Sequence, residues 1–515
     1  MTNPSSALRM LITYAVIIPL AILVGYLLTN PMDYGSLGFF AIIIALLLSP
    51  AFIKWYYPFL VFGLCCPAYC FFLVGNPPLW QVVTLLALGI AVVDRAMGNR
   101  RFISAPMVTW PLLYIAAMAY LTSRLTGGIG LHQLGGAGGG GKKYLTIFIG
   151  IASYFALTSQ AVPKEKRNFY IALWLLTGTT SIIGDVASLL GGPFHALNQL
   201  FPSSLGQMQD VSLGKTRLGS VAGVFGGICG YLMARYGLRG IFLSPQRWRA
   251  VVFLLLFPLS LLGGFRSNLF SFAVVIILMF FMEGLHRTPL LPVALLAALL
   301  VAPVVGFFSD SLPYTFQRSM SFLPLKWDPQ VLADAQGSTK WREDMWAVLW
   351  PQVPDYLLLG KGYSLSAEDF QHIGSGAFSG LGASFDASQE TLAISGDYHS
   401  GPLTTLIPFG LWGAIGLVWL QAAGLFVFYR NYRYGDPELK TFNAYGLAWG
   451  IAGTFGFYFV FGGFHDLVAD AAKGLGFSIA LNWGICRPAP KPAFTPRIKP
   501  LPVAAPAGGE LGLKT

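Results

Sequence analysis

The sequence predicts an all-α protein that crosses a membrane many times. Of its 515 residues, 55% are hydrophobic and 11% are charged, whereas soluble domains carry about 25% charged residues. Apolar runs recur between residues 9 and 485, and each is long enough to cross a bilayer about 30 Å thick as a helix. Because no region has the composition of an ordinary soluble domain, we expect a polytopic transmembrane helix bundle.

The apolar runs divide the chain into about fourteen helices, although twelve remain possible because one run is short. They include predicted spans near residues 35–52, 57–75 and 169–191. Eleven spans are expected within residues 1–307 and three more within residues 402–485, on either side of a polar segment at residues 308–401. Residues 486–515 are rich in proline, alanine and glycine, a composition typical of a disordered tail.

The basic residues predict how the chain is oriented. If the N-terminus is cytoplasmic, most of the 33 lysine and arginine residues fall in inner segments, as the positive-inside rule requires. An even number of spans then returns the C-terminal tail to the cytoplasm and places residues 308–401 on the outer face. The net charge of +11 is explained by the basic residues of the inner loops and does not indicate nucleic-acid binding.

The histidines and cysteines predict no metal site. The spacing of the six histidines does not match a zinc motif. Four of the five cysteines, Cys65, Cys66, Cys70 and Cys229, lie within apolar runs, where small thiols usually pack as apolar residues. The sequence therefore predicts no metal and no cofactor.

The outer segment contains a predicted amphipathic helix near residues 339–350, which Ser338 or Thr339 can cap. Its apolar side chains share one face: Trp341, Met345, Val348 and Leu349. Such a helix either lies along the membrane surface with Arg342 turned toward a phosphate or packs over the bundle.

Two arginines stand at the outer ends of helices that are predicted to run inward. Arg217 precedes one span and Arg266 another. A helix N-terminus disfavours a cation and favours an anion, because of its dipole and its free amide groups. Two guanidinium groups at one depth would match a diphosphate. Alternatively, arginines at a membrane boundary simply extend to water.

His399 is the histidine best placed for chemistry, because it ends the outer segment directly before a span, with Tyr398 beside it. Near neutral pH an imidazole can accept a proton from a sugar hydroxyl. His465, next to Asp466 in a predicted outer turn, is a second candidate.

These motifs, in this order, resemble the O-antigen ligase and polymerase superfamily. Gly360-Lys361-Gly362-Tyr363 is followed by a polar insert, then by His399-Ser400-Gly401-Pro402-Leu403 and Gly410-Leu411-Trp412-Gly413. Upstream stand Arg217-Leu218-Gly219-Ser220, Gly264-Phe265-Arg266-Ser267 and Trp341-Arg342 with Trp346. The chain departs from the family pattern at Ser400, where Asn is usual, and at Phe265, where Ser is usual.

The resemblance implies a glycosyltransferase C-type enzyme of the bacterial inner membrane, with both termini cytoplasmic and the active site periplasmic. Such an enzyme moves a glycan from undecaprenyl diphosphate to a hydroxyl of the lipid A core, of a growing polysaccharide or of a protein. The reaction inverts the anomeric centre and requires no metal.

The resemblance also assigns roles to individual residues. His399 would act on the acceptor hydroxyl, and Arg217 and Arg266 would hold the diphosphate. The candidate substrate-binding residues are Arg342, Arg318, Trp341, Lys361 and Tyr398.

A transporter, such as a lipid-linked glycan flippase or a polysaccharide exporter, is the alternative. It would place polar groups on broken helices near the bilayer midplane. Asp185 is the clearest acid within a span, and Asp470 with Lys473 lies near the start of the last one, which is sparse for ion coupling. A sensor or scaffold, a third possibility, would have no use for the outer arginines and histidine.

Overall fold

The computed structural model describes most of the chain: residues 34–98, 102–127, 140–205, 209–210, 215–363, 398–459 and 462–486, Gly396 and several positions between 14 and 29. Within these residues the regular structure is helical, apart from an antiparallel pair of two-residue strands, β1 (Gln209–Asp210) and β2 (Lys215–Thr216), and one isolated bridge. The predicted all-α class is therefore confirmed. Most of the predicted tail and of the glycine-rich segment near residue 135 lies outside the described residues.

The helices that precede the outer segment are α1 (Tyr34–Cys65), α2 (Leu79–Ala96), α3 (Pro106–Thr126), α4 (Gly140–Thr158), α5 (Arg167–Leu176), α6 (Ile182–Leu190), α7 (Gly219–Phe242), α8 (Trp248–Leu259), α9 (Arg266–Met282) and α10 (Leu290–Phe307). The outer segment contributes α11 (Tyr314–Met320), α12 (Pro329–Leu349) and α13 (Val353–Tyr356). The chain then continues through α14 (Gly401–Tyr434), α15 (Lys440–Phe459), α16 (Phe464–Leu481) and α17 (Trp483–Cys486).

Several helical segments of the described chain are long and apolar enough to cross a membrane: Leu79–Ala96, Lys164–Leu190, Gly219–Phe242, Leu290–Phe307 and Gly401–Tyr434. In α10 the apolar stretch has no buried residue. Such a surface is stable only in contact with lipid or with other apolar surface. The protein is thus a multi-pass membrane protein, as the composition predicts.

Two predicted spans have different boundaries from those expected. The apolar runs near 35–52 and 57–75 form a single helix, α1, with a kink at Trp55, and this helix ends at Cys65. The kink has a local cause, because Pro58 cannot donate a hydrogen bond to the carbonyl of Lys54 and its ring crowds that carbonyl. Residues beyond Cys66 leave the helix, and Tyr69 forms a bridge with Pro78.

The single helix expected near residues 169–191 is divided into α5, a 3-10 turn at Thr177–Ser181 and α6. The hydroxyls of Thr177, Thr179 and Thr180 each donate to a backbone carbonyl three or four residues earlier. Such bonds compete with the helical ladder and tighten it locally. The break directs α6 toward the start of α7.

The buried core consists of two clusters of apolar side chains. One lies among α1, α5, α7, α9 and α15 and includes the buried Tyr57, Met233 and Val275. The other lies among α3, α4, α14 and α16 and includes Ile147, Phe409 and Phe464. A small third cluster joins α12 to α14. We call the side of the bundle that carries α11, α12 and α13 the outer side, as the sequence predicts.

Candidate functional site

The starts of α7 and α9 lie next to each other on the outer side. The amide of Leu218, the residue before α7, donates to the carbonyl of Leu262 at 3.2 Å. Leu262 belongs to the turn that precedes α9, whose first residue is Arg266. Arg217 and Arg266, which the sequence places at two helix starts, are therefore held on neighbouring segments.

Helix α12 begins earlier than predicted and crosses these two helix starts. Asp328 caps it by accepting from the amide of Gln330 at 2.8 Å, with Pro329 as the first helical residue, a common beginning for a helix. The expected cap at Ser338 or Thr339 is wrong, because the Thr339 hydroxyl donates to the Ala335 carbonyl inside the helix. The additional turns bring Asp334 and Ala335 to the arginines.

Asp334 joins three elements of the site. Its carboxylate accepts from Arg318 Nε at 2.5 Å and from the Tyr314 hydroxyl at 2.8 Å, and it lies 3.7 Å from Arg217 Nη2. Burial alone would raise the pKa of Asp334, but the hydrogen bonds and positive charges of these partners lower it below its usual range. Burial and the neighbouring carboxylate raise the pKa of Tyr314 to about 12. Asp334 is thus an anion and Tyr314 a neutral donor.

Arg318, a predicted substrate-binding residue, is engaged with the protein. It is buried, and besides its bond to Asp334 its Nη1 donates to the Gly264 carbonyl at 2.8 Å. These bonds tie α11 to α12 and to the turn before α9. The placement favours a role in holding the other arginines over direct contact with a substrate.

Arg266, the first residue of α9, contacts the next turn of α12, and Arg342 belongs to the turn of α12 after that. Arg266 Nη2 donates to the Ala335 carbonyl at 3.3 Å and to Thr339 Oγ1 at 3.2 Å. Burial, and then the positive charges of Arg266 and Arg318, lower the pKa of Arg342. The guanidinium groups are thus close enough to repel one another, and an anion among them would relieve that repulsion.

We call Arg217, Arg266, Arg318 and Arg342 the arginine cluster. Arg217 Nε is buried and has no hydrogen-bond partner among the described residues, so this arginine retains a donor. A cavity of about 480 Å³ opens beside Arg266, with Thr339, Lys340 and Asp344 on its wall. Of the four arginines only Arg266 lines this cavity, whose wall also carries Glu343.

His399 is held by the same helix. Trp346 Nε1 donates to the Tyr398 carbonyl at 2.9 Å, and the Trp341 ring meets the His399 ring edge to face at 5.1 Å between centroids. His399 has a φ of 47°, a left-handed conformation that costs free energy for a residue with a side chain and that is often found at functional sites. Trp341 is seven residues beyond Asp334, roughly 10 Å along the helix axis.

The apolar face of α12 packs on the bundle. Met345 and Leu349 are buried against Leu403 and Ile407 of α14, with Tyr398 in the same cluster. Of the two expected arrangements, these contacts favour a helix that packs over the bundle rather than one that lies along the membrane surface. Tyr398, a predicted substrate-binding residue, is only 4% exposed, which favours a packing role.

The two halves of the family motif contact each other at a kink in α14. Gly410 has a φ of 59°, and a Cβ atom there would collide with the Leu357 carbonyl, so glycine is required. The kink frees the carbonyls of Ile407 and Pro408, which accept from the amides of Lys361 and Gly362 at 2.7 and 2.9 Å. Lys361, predicted to bind substrate, thus fixes the start of α14 through its backbone.

His465, the second histidine candidate, lies in a different neighbourhood. Its ring is 6.0 Å from the ring of Tyr363 and its Nε2 is 3.4 Å from Asp466. Lys143 lies over the same tyrosine ring at 5.3 Å. A Cβ atom on Gly396 would contact Tyr363 at 3.5 Å, so Gly396 lies beside this second group.

The sequence pattern does not identify Asp334 or Tyr314 as site residues, and it predicts Thr339 only as a helix cap. Ala335, Thr339 and Arg342 follow one another at i, i+4 and i+7, a spacing that places them on one helix face. That signal was available, but only for a helix that begins near residue 329. Among the described residues no group of three or more His, Cys, Asp or Glu side chains could hold a metal ion.

The fold and the site define a polytopic membrane protein that gathers arginines and a histidine at one end of its bundle. Residues 250–418 match the family described as O-antigen ligase. The match runs from α8 to α14 and includes Arg266, α12 and His399, whereas Arg217 precedes it. Residues 250–418 therefore resemble an O-antigen ligase domain, and the resemblance to this superfamily that the sequence predicts is confirmed. No curated protein matches the sequence.

Proposed function

We propose that the protein transfers a glycan from undecaprenyl diphosphate to an acceptor hydroxyl at the periplasmic face of the inner membrane, as in lipopolysaccharide biosynthesis. The family supports a membrane glycan-transfer role. The observation that carries the proposal is that one helix, α12, contacts all three candidate residues. Its Asp334 lies near Arg217, and its Ala335 and Thr339 accept from Arg266. Its Trp341 packs against His399. The arginines proposed to bind the diphosphate and the imidazole are thus all positioned by contacts with the same helix.

The arginines act on the leaving group in this mechanism. As the bond between the anomeric carbon and the diphosphate oxygen breaks, negative charge grows on the leaving phosphate. Arg217 and Arg266 are preorganised by α12 and stabilise that charge more strongly in the transition state than in the bound donor. Arg342 adds positive charge one turn further along. Because these side chains supply the electrostatic stabilisation, we expect transfer without an added metal ion.

His399 acts on the acceptor. Its imidazole orients the incoming hydroxyl and accepts its proton as the new glycosidic bond forms, a contribution of about 100 to 10,000-fold for general base catalysis. The hydroxyl attacks the face of the sugar opposite the diphosphate, so the anomeric configuration inverts. Trp341 fixes the imidazole by its edge-to-face contact.

A flippase or exporter remains the competing function, and the contacts of the intramembrane acids bear on it. Asp185 accepts hydrogen bonds from Ser203, Ser204 and Ser220. Asp470 pairs with Lys473 at 2.9 Å. Acids that are engaged in protein contacts are poorly suited to ion coupling, which favours the enzyme.

Transfer by purified protein separates the two functions. Wild-type protein in liposomes without an ion gradient receives a lipid-diphosphate glycan donor and a lipid A core acceptor. We expect product from the wild type and none from Arg266→Ala or His399→Ala. Arg249→Ala is a matched control, because Arg249 stacks on Tyr236 at 3.8 Å, away from the arginine cluster. Full transfer by either site variant would reject the assignment.

The acceptor class needs a separate observation. Mass spectrometry of surface glycans from a deletion strain distinguishes the two main cases. Long glycans that accumulate on the carrier lipid indicate a ligase, whereas single repeat units that reach the lipid A core indicate a polymerase. We expect the ligase pattern.

A further inference from the structure

A carboxylate of α6 is enclosed by hydrogen-bond donors close to the arginine cluster. Asp185 accepts from Ser203 Oγ at 2.9 Å, from the amide and hydroxyl of Ser204 at 2.6 and 2.8 Å, and from the Leu205 amide at 3.3 Å. It also accepts from the hydroxyl of Ser220. Asp185 is 2% exposed, and nothing in the proposed reaction uses it.

These bonds clamp the segment 201–205 onto α6. Gly184, next to Asp185, lies so close to this segment that a Cβ atom would collide with the carbonyl oxygens of Phe201 and Pro202. The contact places two amides and two hydroxyls of the segment around one carboxylate. Segment 201–205 therefore has its position set by Asp185.

The same clamp reaches the start of α7. Ser220 lies in the first turn of α7, and besides the bond from its hydroxyl to Asp185 its amide donates to Ser204 Oγ at 3.3 Å. On the opposite side the Leu218 amide donates to the Leu262 carbonyl. Arg217 precedes this doubly held turn, and its Nη2 lies 3.7 Å from Asp334.

Burying a carboxylate in a membrane segment is costly unless it is fully hydrogen-bonded. An apolar residue would pack on α7 at lower cost, but it would not fix the rotation of the first turn. Directional hydrogen bonds to Ser204 and Ser220 fix it. The position of Arg217 follows, since only two residues separate it from Ser220.

We propose that Asp185 is a positioning residue for the diphosphate site, which it orients by holding the start of α7 so that Arg217 faces the donor. This inference rests on the proposed function. It assigns Asp185 no contact with the donor and no proton transfer.

The other end of α7 offers a matched control. Glu283 also accepts from two backbone amides of α7, those of Leu238 and Arg239, at 3.1 and 2.6 Å. Glu283 and Asp185 therefore both clamp α7 through a carboxylate, but only Asp185 does so beside Arg217. A purely structural clamp would affect both ends alike.

The test measures binding of inorganic pyrophosphate to the purified full-length protein in nanodiscs, together with donor kinetics. The variants are Asp185→Asn, the milder Ser220→Ala, Arg217→Ala, the double variant Asp185→Asn/Arg217→Ala and the control Glu283→Gln. Because a misplacement of about 1 Å can cost on the order of 100-fold in rate, we expect Asp185→Asn to lower kcat/KM for the donor by about that factor. Ser220→Ala should have a smaller effect in the same direction.

The expected pattern is specific to positioning. Asp185→Asn weakens pyrophosphate binding as Arg217→Ala does, the double variant is no worse than Arg217→Ala alone, and Glu283→Gln binds like the wild type. The inference fails if Asp185→Asn and Ser220→Ala bind pyrophosphate normally while Arg217→Ala does not, or if Glu283→Gln loses as much affinity as Asp185→Asn. Normal pyrophosphate binding by Arg217→Ala would instead reject the anion site itself.

Discussion

Two buried polar clusters at opposite ends of the bundle differ in how their groups are used. At the inner end, Asn443 donates to the Asn431 carbonyl and exchanges side-chain hydrogen bonds with Asn482, and Asn431 donates to Ser478, all at 2.9 Å. We call these four residues the asparagine cluster. Its amides satisfy one another across α14, α15 and α16.

The arginine cluster at the outer end instead gathers four positive charges, of which Arg318 and Arg217 pair with one carboxylate, that of Asp334. Arg266 and Arg318 both disfavour the charged form of Arg342, and Arg217 keeps a buried donor without a partner among the described residues. A network of mutually paired neutral groups stabilises a fold, whereas converging cations are stabilised by an anionic ligand. The inner cluster therefore suits a structural role, whereas the outer cluster suits the anion site that we propose.

The largest expected effect is a loss of catalytic rate when the histidine beside the arginine cluster is replaced. His399→Ala should lower kcat for glycan transfer by about 100 to 10,000-fold, because a general base is removed. His286→Ala provides the control, since His286 lies beside Phe281 and Arg287 in a turn at the other end of α9. Single-turnover transfer measures both. Equal activity of the two variants would contradict the assignment of His399.

The second effect concerns the asparagine cluster. Asn443→Leu removes the donor to the buried Asn482 side-chain carbonyl and one of the two donors to the Asn431 carbonyl, which still accepts from Gly435. The expected cost is about 1 to 3 kcal/mol in stability. We expect a lower Tm with unchanged transfer per folded molecule. Thermal unfolding in detergent and transfer assays on the same sample measure this. A specific loss of kcat with an unchanged Tm would show that the inner cluster has a functional role.

A smaller effect is expected at Trp341. Trp341→Phe keeps an aromatic ring beside His399 but removes an indole N–H that is buried without a partner among the described residues. A lost hydrogen bond to a bound group is worth about 0.5 to 1.5 kcal/mol, so kcat/KM should fall by roughly tenfold or less. Trp350→Phe, an exposed tryptophan of the same region, should have no effect. Identical behaviour of the two variants would remove Trp341 from the site.

The smallest effect is a shift in pH dependence. The pKa of Asp334 is lowered in the folded protein, so its ionised form stabilises the fold above the unfolded-state pKa, and this contribution is lost as pH falls through the folded-state pKa. Tyr314→Phe removes one donor and raises that pKa toward the unfolded-state value, so the loss of stability on acidification should be smaller than in the wild type and should be complete at a higher pH. Acid titration of Tm tests this, and coincident profiles would show that the Tyr314 bond contributes nothing.

Much of the fold could be predicted from the sequence, because apolar runs are local signals. Arg266 begins α9 and Arg217 lies directly before α7, as expected. The start of α12 was misplaced, because polar residues of an outer helix give a weak periodic signal and Thr339 resembles a cap. The pairing of Arg217 with Asp334 joins residues far apart in the chain, and only the packing of α12 across two helix starts creates it.

The most direct test of the central claim is to locate the donor. A cryo-EM structure of His399→Ala in nanodiscs with a lipid-diphosphate glycan should show the diphosphate between Arg217 and Arg266, with the first sugar directed toward position 399. A diphosphate bound elsewhere on the protein, with Arg217 and Arg318 still paired with Asp334 and no ligand at the arginine cluster, would contradict the account.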